Sequence, residues 1–173
     1  MSDVRARRPL DAETKVAEAL VDHKAELRLW LRLLTCTTLI ETEVRRRLRK
    51  QFGETLPRFD LMAQLERVDT GMTLGEVSQR MMVSAGNVTS LVERLVTSGY
   101  VERRTAPNDR RSQLVRLSNA GRAHFGRLAA AHQDWVAELL EDLSERDIAG
   151  AMEELARVKK SVSRAIAARG DER

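Results

Sequence analysis

Cysteine is almost missing from this sequence. Cys36 stands alone among 173 residues, so no internal disulfide and no cysteine-rich metal site can form, and a reducing compartment is expected. Aromatic residues make up only 3% of the chain, which leaves Leu, Val, Ala and Met to build a core. No apolar run approaches the roughly 20 residues of a membrane span. The start, MSDVRARRPLDAE, has no apolar stretch of the kind a secretory signal needs. A cytoplasmic protein with no membrane partner is expected. Signatures of catalysis are missing as well. His23, His124 and His132 have no metal-ligand spacing among themselves or to Cys36. No phosphate-binding glycine loop, nucleophile elbow or H-E-x-x-H segment occurs. These gaps argue against an enzyme, a metal site and a cofactor.

What is present is a globular composition, 42% hydrophobic and 32% charged, long enough for one domain with a real core. The net charge is +4, and it is not spread evenly. Between Leu74 and Ser118 seven arginines face four carboxylates, an excess of three in about a quarter of the chain. Arginine suits phosphate and guanine better than lysine does.

Taken in order, residues 1–11 read as a polar, flexible arm carrying Arg5, Arg7 and Arg8, either a solvated tail or a phosphate contact. From about Asp11 to Phe52 apolar positions recur at steps of three and four, through Leu20, Leu27, Trp30, Leu34, Ile40, Val44 and Leu48, the helical period. This is one long helix or two with a bend near His23. Its basic end, Arg45 to Lys50, is a solvated helix terminus or a surface for an anion. Cys36, among Leu33, Leu34 and Ile40, reads as a small core residue, with a redox-sensing thiol as the competing reading. Proline at a first helical position is costless, so Pro57 opens a helix to about Val68, and Met72 to Leu74 add a short strand. A helix over Leu74–Met81 is followed by a turn at Met82-Val83. Ser84 is then an N-cap whose hydroxyl can accept from an orphan amide. The next helix spans Ala85 to Thr97 and stops at Gly99. Tyr100–Thr105 and Gln113–Leu117 alternate like strands around a polar turn, Ala106 to Arg111. Ser118 caps a helix running to about Leu143. Ser144 starts the last one, with Ile148, Met152, Leu155, Val158, Val162 and Ile166 as a narrow apolar stripe.

A small residue in a first helix, a turn four residues on, and apolar residues at set offsets define a helix-turn-helix. Ser78, Met82, Val83, Val88 and Leu91 occupy those offsets, with serine where alanine is usual and Met82 where glycine is usual. The exposed side of the second helix offers Ala85, Gly86, Asn87, Thr89, Ser90 and Arg94 with one acid, Glu93. A solvent-facing helix normally carries more Glu and Lys. The expected fold is mainly α with a small β-hairpin wing: a winged helix-turn-helix over 56–118, and helical regions 12–53 and 119–168 outside it. Residues 169–173 read as a tail.

The segments GNVTSLVERLVTSGYVERR and PNDRRSQLVRLSNAG, with Asp109-x-Arg111, Leu117-Ser118 and Gly121, resemble the MarR (multiple antibiotic resistance regulator) family of transcriptional regulators. Order and spacing match from about Leu27 to Ile166. The resemblance implies a homodimer whose first and last helices interlock. It also implies a recognition helix in the major groove of double-stranded DNA and a wing arginine in the minor groove. Expected contacts are Ser84, Gly86, Asn87, Thr89, Ser90 and Arg94 on the helix, and Arg110 and Arg111 on the wing, with Asp109 holding the turn or Arg111 in shape. LPRFDLMAQL together with GNVTSLVERL is similar to members controlling aromatic-acid breakdown, some of which answer to aromatic acyl-CoA thioesters. The family places effector pockets where the long helices meet the DNA-binding lobe, so Trp30, Arg58, Phe59 and Phe125 are candidates for a small-molecule effector. Arg28, Arg32 and Arg45 to Arg47 could meet its charge. The function implied is a ligand-responsive repressor. A repressor switched through Cys36 and a helical interaction dimer without DNA readout are the alternatives.

Overall fold

A computed structural model describes residues 25–106 and 109–170, with side chains outside 106–112. The basic arm, the helix start at Asp11, the bend at His23, Pro107, Asn108 and the end of the tail (171–173) lie outside the described residues. In chain order the elements are α1 (Ala25–Phe52), α2 (Leu56–Glu66), β1 (Met72–Thr73), α3 (Leu74–Met81), α4 (Ala85–Thr97), β2 (Val101–Ala106), β3 (Asp109–Leu117), α5 (Asn119–Leu139) and α6 (Glu145–Gly170). They form two compact units that divide after Gln133, within α5.

The first unit holds a core of α2, α3 and α4 against a small sheet. Leu61, Met62 and Leu65 of α2, Val77 of α3, and Val88, Val92 and Leu95 of α4 are all buried, as are Met72, Val101, Val115 and Leu117 of the strands. Each such side chain contributes about 1.5–3 kcal/mol on leaving water. The sheet is antiparallel in the order β1-β3-β2. Met72 pairs with Val115, and Val101 with Leu117. Alternation therefore turns Val101, Arg103, Val115 and Leu117 to one face, and Glu102, Arg104, Leu114 and Arg116 to the other.

Local chemistry sets the boundaries. Thr73 and Glu76 form a reciprocal capping box at α3: the Glu76 amide donates to Thr73 Oγ1 at 3.2 Å, and the Thr73 amide donates to Glu76 Oε2 at 2.7 Å. Ser144 and Asp147 do the same for α6, at 3.2 and 3.0 Å. The α3–α4 turn closes on Met82 in the left-handed region, φ 54 and ψ 38. A side chain there costs about 1–2 kcal/mol. Ser78, in the alanine position, donates its hydroxyl to the Val83 carbonyl at 2.6 Å, so the departure from the usual pattern ties the turn together.

A tight joint links the wing to α5. Ser118 Oγ donates to the Gly99 carbonyl at 2.6 Å and accepts from the Gly121 amide at 2.9 Å, while the Ser118 amide donates to the Tyr100 carbonyl at 3.0 Å. Gly121 lies so close to Tyr100 that an added Cβ would sit 2.0 Å from the Tyr100 carbonyl oxygen.

Four expectations are corrected. β3 begins at Asp109, so Asp109 to Arg111 belong to a strand and not to the turn; Ala106 pairs with Asp109, and the hairpin ladder continues past the apolar residues. Helix α5 stops at Leu139, and residues 140–143 form turns through the Leu143 amide and the Leu140 carbonyl. Ser84 is the N-cap residue of α4, but its hydroxyl makes no capping bond. Cys36 is exposed and is not a core residue. Only Val44 and Leu48 of α1 are buried, while Leu27, Trp30, Leu34 and Leu39 stay exposed in the single chain. Helix α6 repeats this by itself: Ile148, Met152, Leu155, Val162 and Ile166 are all exposed.

Two outcomes are expected. Gly121→Ala forces the backbone at Tyr100 apart and lowers stability by about 1–3 kcal/mol, measured by urea unfolding; an unchanged midpoint would refute the joint. The Glu76 carboxyl is held below its ordinary 4.5 by the amide and hydroxyl of Thr73. A lowered folded value gives stability that is complete above the unfolded value and lost as pH falls through the folded one. The loss caused by Glu76→Ala should therefore be smaller near about pH 3 than at neutrality.

Candidate nucleic-acid interface

Helix α4 buries Val88, Val92 and Leu95, which fixes its opposite side outward. Ser84, Ala85, Gly86, Asn87, Ser90, Glu93, Arg94 and Thr97 are exposed, and Thr89 is half-buried. Because Ser84 Oγ makes no cap bond, the first-turn amides receive nothing from it, and the positive end of the helix is left for an outside acceptor. Thr89 donates its hydroxyl to the Ala85 carbonyl at 2.9 Å; its methyl is the group still available. Asn87 and Arg94 make no side-chain bond to other described residues.

Gly86 is the most informative position on this face. Glycine inside a helix is disfavoured by roughly 1 kcal/mol against alanine. Yet a Cβ built at Gly86 meets nothing within 4 Å. Among the described residues no packing requires glycine here, and the open face leaves room for close approach from outside.

The described arginines of the wing each lie beside a carboxylate. Glu102 accepts from Arg104 at 3.4 Å and from Arg116 at 3.1 Å. Arg103 lies 3.9 Å from Glu93 of α4. The backbone of Asp109, Arg110 and Arg111 starts β3, and their side chains lie outside the described residues. Part of the basic end of α1 is paired within the helix: Arg45 pairs with Glu41 at 2.9 Å, and Glu43 accepts from both Arg46 and Arg47. Those two hydrogen bonds bring the Glu43 carboxyl down to about 2.

Of the effector candidates, Phe59 and Phe125 come together, with ring centroids 5.5 Å apart, and His132 lies 4.9 Å from Phe59. Burial holds the His132 imidazole below its ordinary value. Trp30 is 57% exposed and makes no ring contact with them among the described residues. Arg58 is committed elsewhere. It pairs with Glu54 at 2.9 Å, a charge contact without an aligned hydrogen bond, and donates to Ser98 Oγ at 3.1 Å. Arg28 and Arg32, with Ala25 and Leu29, line an open hollow of about 350 Å³.

Sequence reasoning missed the buried polar cluster behind this site. Glu54 and His124 are 4% and 6% exposed, and His124 Nε2 lies 3.2 Å from Glu54 Oε1. Arg127 Nη2 is 3.3 Å from His124 Nδ1. A guanidinium only donates, so Nδ1 accepts and Nε2 carries the proton toward Glu54. Tyr100 stacks on His124 at 4.2 Å, 10° from parallel. The available signal was periodic: Gly121, His124 and Leu128 fall at helical spacing on the buried side of α5. No three His, Cys, Asp or Glu side chains among the described residues could hold a metal ion. No described helix is long and apolar enough to cross a membrane.

A short helix, a left-handed turn, a second helix with an outward polar face, and a β-hairpin make this a winged helix-turn-helix protein. The model of the MarR family matches residues 52–112. The transcriptional activatory protein BadR of Rhodopseudomonas palustris is 30% identical over 159 residues, covering 88% of this chain and 90% of its own. The chain belongs to the MarR family of transcriptional regulators. A MarR family transcriptional regulator from Silicibacter pomeroyi is 34% identical with a TM-score of 0.68, over 79% of this chain and 94% of that one. A mutant MarR from E. coli complexed with operator DNA is 25% identical with a TM-score of 0.63, over 78% and 99%.

Because the space beside Gly86 is open, Gly86→Ala should keep or raise stability, by up to about 1 kcal/mol. A thermal melt showing a loss would contradict the geometry.

Proposed function

We propose that this chain is a ligand-responsive transcriptional repressor that binds a pseudo-palindromic operator as a homodimer. The observation that carries the reading is the α4 face, where a Cβ at Gly86 would meet no described residue within 4 Å and Glu93 is the one acid. Asn87 and Arg94 read base edges, since asparagine pairs bidentately with adenine and arginine with guanine. The amide end at Ser84 takes a phosphate. Thr89 offers its methyl, and Ser90 its hydroxyl. Arg110 and Arg111 enter the minor groove, where arginine favours a narrow, negative channel, and Asp109 shapes the hairpin that presents them.

The exposed apolar stripes of α1 and α6 support dimerisation through regions 12–53 and 119–168, since soluble monomers rarely expose such continuous apolar surface. Two-fold symmetry then sets half-sites about one helical turn apart. An effector that prefers a dimer with differently spaced recognition helices lowers DNA affinity by its differential affinity for the two states. An aromatic acid or its CoA thioester is the proposed class, supported by the Phe59–Phe125 pair and by the relative named BadR. Arg58, a candidate for the pocket, is already paired with Glu54, and Arg28 and Arg32 are among the arginines that would meet the charge of such a ligand. The same relative's name favours one second reading, activation in place of repression. A redox reading through Cys36 gains from the exposure of that thiol.

Binding to the DNA upstream of the protein's own gene tests the core of the proposal. Arg110→Ala with Arg111→Ala should weaken binding and lower the salt slope by about 0.9 for each phosphate no longer neutralised. Full affinity in the double variant would remove the wing assignment. In the same assay aromatic acids and aromatic CoA thioesters should release the DNA, and release by neither eliminates that effector class. Cys36→Ser should leave the response to oxidant unchanged; abolition of a response would establish the thiol switch instead.

A further inference from the structure

Four described residues have a left-handed backbone, and three of them are glycines: Gly53, Gly71 and Gly99. The fourth is Met82, in the turn that leads into α4. The turn does not need the methionine side chain. Its backbone is held by the Met82 amide on the Gln79 carbonyl at 3.3 Å and the Val83 amide on the Ser78 carbonyl at 3.2 Å, and the Ser78 hydroxyl adds the bond to Val83. The side chain itself is 92% exposed. The chain thus keeps a strained residue where glycine would fit without strain, and gains no packing from it. Strain of this kind persists where a function uses it.

Two residues later stands Ser84, then the exposed Ala85, Gly86 and Asn87. Met82 is the apolar member of a small, polar lip at the N-terminus of α4. We propose that Met82 is a DNA contact that the helix face alone does not reveal, laying its flexible thioether chain on apolar DNA surface at the edge of the half-site. That surface is a thymine methyl or a deoxyribose, and an unbranched, polarisable side chain adapts to either. The inference rests on the DNA-binding reading above.

The test pairs thermal melting with fluorescence anisotropy on the upstream duplex. Met82→Gly should melt higher and bind about tenfold more weakly, opposite signs that a purely structural residue would not produce. Met82→Leu should bind within about twofold of the wild type. Met82→Asn, which tolerates the left-handed backbone but is polar, should bind as weakly as the glycine variant. Replacing thymine with uracil distinguishes the sources: disappearance of the Met82 contribution assigns the methyl, and its retention assigns the sugar. Wild-type affinity in Met82→Gly overturns the inference and leaves the DNA-binding reading standing. Wild-type affinity in Met82→Asn alone reduces the effect to backbone stiffness and also overturns it. A changed oligomeric state in Met82→Gly makes the residue a protein contact instead. If the wild type itself does not bind, the DNA-binding reading fails together with the inference.

Discussion

Everything in the first unit depends on how α5 is seated against Tyr100. The Tyr100 carbonyl lies where a Cβ at residue 121 would be, so only glycine lets the helix start there. From that seat the chain is fixed in three directions. The Tyr100 amide reaches back to Leu95 of α4 at 2.9 Å, its carbonyl accepts from Ser118, and its ring lies on His124. His124 in turn holds Glu54, between α1 and α2, and Glu54 holds Arg58, which reaches Ser98 at the end of α4. The exposed helix is therefore gripped at its C-terminal end by residues from the helices behind it. Its N-terminal end is held by the turn and by Val88 in the core. The cluster thus ties the end of α1 and the start of α2 to α5 and to the C-terminal end of α4.

The cluster also shows why the charge count misleads. Isolated buried charges are costly unless paired, and Glu54 is paired on both sides. At the surface, ion pairs add little stability, but they decide where positive charge remains available. Glu102 holds two wing arginines, and Glu41 and Glu43 hold three on α1. Arg94, with no such partner among the described residues, is left on the α4 face.

Much of the fold was legible in the order of residues. The steps of three and four placed α1, α3, α4 and α6, the alternation placed both strands of the hairpin, and Gly99 and Ser118 marked true boundaries. Misreadings came where a local rule met a distant partner. Composition made a turn of Asp109 to Arg111, but β2 supplied a ladder for them. Ser84 had the chemistry of a cap, yet its hydroxyl makes no such bond. Cys36 lies on an apolar stripe that the single chain leaves exposed. Of the site residues, the α4 face was legible because burial of Val88, Val92 and Leu95 forces the remaining positions outward. Arg58 was only half legible: Glu54 stands four residues before it, but Ser98 lies 40 residues on and only the fold brings it near.

The sequence by itself determined the helical and strand periods and the identity of the exposed α4 residues. These follow from sterics and hydrogen bonds among residues within about four positions of one another. The tertiary structure alone decided that Arg58 is spent on Ser98, 40 residues away, and that His124 is spent on Glu54, 70 residues away. It alone showed that Gly86 has open space beside it while Gly121 has none. Whether a polar group is free or satisfied, and whether a glycine is required from within or from without, depends on what the fold brings near, and spacing along the chain does not contain that.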